Sequence, residues 1–183
     1  MWAFEQENVV PDLLTVSKHF GGGIAISAVV TSAEIEEAAV SRGYSYGHSH
    51  SNDPLACAAA LATLEAIEDE SLVERAQELG GWLRGRLDDL RARHEVVGDV
   101  RGRGILQGIE LVRPDGSPAF ELGEAIRRAC LREGLLFSVR RSGSVLRFVP
   151  PFSTTLEQID RAAEILDLAL TEARATAPAP VGG

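Results

Sequence analysis

Lysine is nearly missing from this chain: of its 18 basic residues only Lys18 is lysine, and the rest are arginine. Cysteine is scarce as well. Cys57 and Cys130 are far apart and belong to no CxxC pair. Both lie among small and apolar residues of helical pattern, where a buried free thiol is expected. A reducing, cytoplasmic setting is the matching expectation. Positive charge is in deficit, with a formal net charge of −9, which argues against wholesale binding to nucleic acid or an anionic membrane. No apolar run approaches the ~18 residues of a membrane span. The opening stretch, MWAFEQENVVPD, has neither a basic n-region nor an apolar core, so it does not read as a secretory signal. What remains is 183 residues, 45% hydrophobic and 25% charged, the make-up of a soluble globular protein of one domain or parts of two.

The surviving lysine stands in TVSKHFGGGI, just ahead of three glycines. An arginine-rich coding bias leaves few lysines, and one can persist by accident on a solvated loop. Chemistry offers a second reason. Arginine replaces lysine as a surface cation but stays protonated, and only the lysine amine condenses with a carbonyl group. Glycines beside it would let the backbone approach a ligand closely. A phosphate-binding P-loop is excluded, because that motif places its lysine after the glycines and before Ser or Thr. The glycines of RGRGILQG are not spaced for dinucleotide binding either, and a strand rather than a helix follows them.

Along the chain, Lys18 stands at a strand end, and GGGIAISAVV predicts a buried strand. Thr31 or Ser32 can cap a helix that ends at Gly43, and Asp53 with Pro54 opens a long alanine-rich helix. Ser71 and Glu74 form a capping-box pattern for the next helix, whose Leu72, Ala76, Leu79, Leu83, Leu87 and Leu90 make one apolar face. Gly80-Gly81 suggests a bend in it. From HEVVGDVRGRGILQGIELV onward the pattern turns to two short strands about a glycine-rich turn, a helix over AFELGEAIRRACLREG, then strands in LLFSVRR and SVLRFVPPF. Thr155 and Gln158 cap a final helix, and TAPAPVGG reads as a disordered tail. The fold class is α/β, with the remnant of an α/β layer over residues 1–70, a compact α+β domain over 71–176 and the tail at 177–183. The first part has too few strands to complete a sheet. Its apolar faces are expected to make the isolated chain associate.

Three places carry residues suited to chemistry. Lys18 is the first. Arg147 is the second: it interrupts the apolar strand SVLRFVPPF, with Val145 and Val149 on its face. It could meet an acidic partner in an ion pair, or grip a carboxylate with its planar fork. Arg101 and Arg103 are weaker candidates, read as turn residues paired with nearby carboxylates. The loop GHSHSNDP is the third. His48 and His50 alternate in a way that would suit two metal ligands, but no third ligand lies near, so no metal is expected. Ser49, Ser51 and Asn52 could bind a phosphate or simply form the entry turn of the helix. Acidic pairs such as Glu36-Glu37 and Asp88-Asp89 read as solvated helix faces.

Taken together, VVPDLLTVSKHFGGGIAISAVV, HSHSNDPLACAAAL, VGDVRGRGILQGIELV and LRFVPPFSTTLEQID resemble the class III pyridoxal-phosphate aminotransferases, a fold-type-I family, over nearly the whole chain. NDPLA and GDVRGRG bring it nearest to the branch containing 2,2-dialkylglycine decarboxylase. The resemblance implies pyridoxal 5'-phosphate as cofactor and Lys18 as the lysine that holds it as a Schiff base. It places Ser49 where the family has a threonine reaching the cofactor phosphate of the neighbouring subunit, and Arg147 at the arginine for the substrate α-carboxylate. It implies a homodimer that moves an amino group from an amino acid or amine to a 2-oxo acid. Decarboxylation coupled to transamination is the alternative within the family, and an inactive fragment or interaction module the alternative outside it. Only the C-terminal portion of the family is matched. The phosphate-binding turn, the ring-stacking aromatic residue and the aspartate that pairs with the cofactor nitrogen belong to a preceding region, so the chain reads as a fragment and is expected to turn over negligibly by itself.

Overall fold

In a computed structural model of the protein, residues 1–176 are described. They form two compact units, Met1–Val73 and a second that begins at Glu74. The expected tail at 177–183 lies outside the described residues.

The first unit opens with a 3-10 turn at Ala3–Glu7, then strands β1 (Leu13–Val16) and β2 (Ala28–Thr31) pair antiparallel from Leu13↔Thr31 to Val16↔Ala28. The strand expected in GGGIAISAVV therefore forms, but only over its last residues, and it is not buried. Val29 is 65% and Val30 55% exposed, because a two-stranded ribbon has no second layer to cover them. Helix α1 (Ala33–Ser41) starts where Ser32 Oγ accepts from the Ile35 N–H, and Gly43 follows it with φ +90°. Helix α2 (Pro54–Asp69) has Pro54 in its first turn, and the Asp53 carboxylate accepts from the Leu55 N–H at 3.0 Å. Both starts agree with the sequence. Cys57 on α2 is exposed, contrary to the expectation of burial, because its side of the helix has nothing packed on it; Cys130 is buried.

Helix α3 (Leu72–Arg93) leads into the second unit. The capping box expected at Ser71 and Glu74 does not form among the described residues: Ser71 has φ +51°, whereas an N-cap residue takes extended backbone. Nor do Gly80 and Gly81 break the helix. Gly80 is needed because a Cβ there would lie 2.2 Å from the Gly104 backbone, so the turn between the next two strands rests directly on the helix. Those strands are β3 (Val97–Arg103) and β4 (Leu106–Leu111); after helix α4 (Leu122–Arg132) come β5 (Ser138–Arg140) and β6 (Val145–Phe148). The sheet is antiparallel in the order β3-β4-β6-β5. Helix α5 (Leu156–Thr176) begins with a reciprocal box, the Thr155 N–H donating to Gln158 Oε1 at 2.9 Å and the Gln158 N–H to Thr155 Oγ1 at 3.2 Å.

Alternation along each strand sends Val100, Ile109, Leu111, Leu146 and Phe148 to one face of this sheet. They share one core with Leu79, Leu83, Leu87 and Leu90 of α3, Ile126 and Cys130 of α4, and Ile159, Leu166 and Leu170 of α5. Burying one such leucine is worth roughly 1.5–3 kcal/mol relative to leaving it in water. The Cys130 thiol is pushed up to about 11 by that burial, so it stays protonated and inert. The opposite face of the sheet is left for other work.

Candidate active site

Lys18 begins the short 3-10 turn Lys18–Gly21, two residues after β1 ends. Its φ is +60°, the left-handed region that costs a side-chain-bearing residue about 1–2 kcal/mol. Such strain persists only where the surroundings over-determine it, and it gathers at functional sites. Two contacts do the fixing. A Cβ on Gly21 would lie 2.7 Å from Ile26 Cγ2, and one on Gly22, with φ +58°, would lie 2.6 Å from Thr63 Oγ1 of α2. The expected close approach at the glycines is thus to the protein's own helix, which backs the turn. The Lys18 side chain is exposed, and its amine has no hydrogen-bond or ion-pair partner among the described residues.

Ser49 lies in the turn that feeds α2. That turn is closed from within: the His48 N–H donates to Ser51 Oγ at 3.1 Å, the His50 N–H to His48 Nδ1 at 3.2 Å, and the Ser51 N–H to the His48 carbonyl at 2.9 Å. Ser51 and His48 are spent on the turn itself. The Ser49 hydroxyl is exposed and has no partner among the described residues. His50 faces the Asp53 carboxylate at 3.7 Å.

Arg147 is on β6 in the second unit, paired with Gly108 of β4 on one side and Ser138 of β5 on the other. Directly paired residues share a face, so two small residues flank the guanidinium on the side of the sheet away from the core. Its Nε is buried without a hydrogen-bond partner, and Arg147 forms no ion pair among the described residues. The acidic partner that one reading of the sequence required is not present among the described residues. Arg101, one strand further along the same row, is paired as expected: it donates to Asp99 Oδ2 and Glu110 Oε2, both at 2.7 Å. The hydrogen bond to Asp99 and then that to Glu110 raise the Arg101 pKa, and the Arg101 hydrogen bond lowers that of Asp99.

Lys18 and Ser49 thus belong to the first unit and Arg147 to the second. Sequence reasoning missed Thr63, the residue against which the lysine turn is seated. It also missed Gln107, whose Nε2 pins the β3–β4 turn by donating to the Gly104 carbonyl at 2.8 Å. A polar residue at an inward position of GILQGIEL was the available signal for Gln107; nothing in the sequence marked Thr63.

Comparison with known proteins shows the family. The family model for class-III aminotransferases matches residues 1–170. An uncharacterized aminotransferase of Schizosaccharomyces pombe is 40% identical over 176 residues, 93% of this chain and 39% of that protein. A 5-aminovalerate aminotransferase of Pseudomonas aeruginosa is 40% identical over 168 residues, 90% of this chain and 39% of its own length. Among solved structures, a phospholyase from Arthrobacter, in complex with phosphoethanolamine, superposes with a TM-score of 0.85 at 33% identity, covering 97% of this chain and 42% of that one. The chain therefore spans about two fifths of the length of the relatives it matches.

Proposed function

The chain belongs to the class-III aminotransferases, and on that premise we propose that it supplies the lysine and the carboxylate-binding arginine of a pyridoxal-phosphate-dependent transamination. The observation that carries this reading is Lys18: the only lysine in the chain, held in a strained left-handed turn with its amine unpartnered. The residues present fit the cofactor. Lys18 would hold it covalently through Nζ, and the Ser49 hydroxyl would donate a hydrogen bond to the phosphate of the cofactor in the neighbouring subunit. Pyridoxal phosphate, when bound, supplies an electron sink for the charge that develops at the amino-bearing carbon.

The remaining work falls to the chain's own side chains. The Lys18 amine, once released, takes a proton at the amino-bearing carbon and returns one as general base and acid. Arg147 grips the substrate α-carboxylate with two charge-assisted hydrogen bonds, which the lack of an ion-pair partner among the described residues leaves it free to do. The substrates are then an amino acid or amine as donor and a 2-oxo acid as acceptor. The finer placement beside 2,2-dialkylglycine decarboxylase is supported by NDPLA at 52–56 and GDVRGRG at 98–104, and would change which bond to the amino-bearing carbon is broken. A homodimer, residues 1–70 as part of the large cofactor-binding domain, residues 71–176 as the small C-terminal domain, and a cytoplasmic setting with both cysteines free complete the proposal.

The test is a single conversion. Incubated with one equivalent of pyridoxal phosphate and an α-amino acid, the protein should convert that single equivalent to the amine form faster than the cofactor reacts alone, a half-reaction that asks for no sustained turnover. Lys18→Arg should remove that acceleration. An Arg variant that keeps the full rate would refute the reading.

A further inference from the structure

The face of the second unit's sheet that carries Arg147 holds two transverse rows. Asp99, Glu110, Val145 and Arg140 make one; Arg101, Gly108, Arg147 and Ser138 make the next. Glu110 is therefore a diagonal neighbour of Arg147 across β4 and β6. Such neighbours sit about 7–8 Å apart, within reach of long side chains. Gly108 and Val145 are the other two corners of that square: Gly108 brings no side chain to it, and Val145 Cγ1 would lie 3.7 Å from a Cβ placed at Gly108, so Val145 is the one side chain the carboxylate must pass to reach the guanidinium.

A half-buried carboxylate beside an unpaired guanidinium would ordinarily close on it. Here it does not. Glu110 is 18% exposed, and both of its oxygens are already engaged: Oε2 by Arg101 at 2.7 Å and Oε1 by Arg141 at 3.4 Å. Arg101 is steadied in turn by Asp99 at 2.7 Å. Asp99, Arg101, Glu110 and Arg141 thus form a chain of alternating charge, with Arg147 beside it and outside it.

We propose that Arg101 is a positioning residue that holds Glu110 away from Arg147, and so keeps Arg147 open to a substrate carboxylate. This rests on the reading of Arg147 as the carboxylate site. Without Arg101, the longer Arg141 contact holds Glu110 alone. Glu110 is then free to turn toward Arg147 and compete with the substrate as an internal carboxylate. Arg101 contributes without touching the substrate, by occupying its competitor. Glu110 in turn becomes the residue that sets how readily a weakly acidic or carboxylate-free substrate is accepted.

The experiment uses the 183-residue protein and the Nε–Hε NMR signal of Arg147, whose buried nitrogen slows exchange with water. Pyruvate is the probe, as a 2-oxo acid with one α-carboxylate. The wild-type signal should move on titration with pyruvate. In Arg101→Gln the ligand-free signal should already be displaced, and pyruvate should bind roughly fivefold more weakly, the scale of one exposed ion pair. Adding Glu110→Gln to Arg101→Gln should return both the signal and the affinity to wild-type values, and Arg101→Lys should fall between. If Arg101→Gln changes neither quantity, Glu110 is no competitor and the inference fails. If the double variant stays as weak as the single one, Arg101 acts as a structural residue and the inference fails again. If pyruvate leaves the Arg147 signal unmoved in the wild type, the carboxylate reading of Arg147 falls, and this inference with it.

Discussion

The first unit carries the lysine and hardly any interior; the second carries the interior and the arginine. Among the described residues of Met1–Val73, Ala60 is the one buried apolar side chain, while Val10 is 92%, Leu55 71% and Val29 65% exposed. Every residue of the hydrophobic core cluster lies in the second unit. The two units therefore place their functional side chains by different means. Arg147 is placed by packing, because strand alternation that buries Leu146 and Phe148 sends Arg147 to the other face. Lys18 is placed by local devices: a left-handed residue, two closely approached glycines and a capped helix behind them. A site built on such devices tolerates the loss of exposed apolar neighbours and is sensitive to a single turn residue.

The largest effects should fall in the second unit. Leu87→Ala or Ile109→Ala, at 1% and 0% exposure, should cost about 2–5 kcal/mol in denaturant unfolding. Leu13→Ala in β1, 58% exposed, should stay within about 0.5 kcal/mol. Comparable losses at both places would break the contrast between the units.

A smaller effect of opposite sign is expected at the lysine. Lys18→Gly removes the left-handed cost and should steady the turn by about 1 kcal/mol net of the flexibility that glycine adds. Slower amide exchange over residues 17–22 would report it. Lys18→Ala loses the same amine but keeps the strain, so it should show no such gain. If the two variants behave alike, the backbone at Lys18 is not strained.

The smallest effect concerns acid. Burial raises the pKa of Asp167, but hydrogen bonds from His94 and Arg93 outweigh it and hold the carboxyl below its ordinary value. A carboxyl lowered in the folded state adds stability above its unfolded pKa and loses it as pH falls through the folded value. Asp167→Asn should therefore flatten the loss of second-unit stability below about pH 4, the ordinary aspartate range, and leave its slope near neutrality unchanged. An unchanged acid limb would remove Asp167 from the account.

Much of this is legible in the sequence. Helix starts at Ser32, Asp53 and Thr155 were readable because caps are local chemistry, and the leucines of α3 because a helical period is local geometry. Failures came where a distant segment decides. The need for Gly80 was hidden because the sequence cannot reveal that Gly104 presses on that helix. Burial was overestimated at Val29, Val30 and Cys57, since apolar character records what a segment suits rather than what covers it. At the site, Lys18 was visible by its rarity. The relation of Arg101, Glu110 and Arg147 was not, because it depends on the register of three strands.

The most direct test of the account is a competition between amines. The chain offers two primary amines, its α-amine at Met1 and the Lys18 side chain, and at neutral pH an α-amine is ordinarily the more reactive. The protein is incubated with one equivalent of pyridoxal phosphate, reduced with borohydride and mapped by peptide mass. The account predicts the cofactor on Lys18 in preference to the α-amine. Label chiefly on the α-amine, or shared as free peptides would share it, would contradict the claim that this turn is built around its lysine.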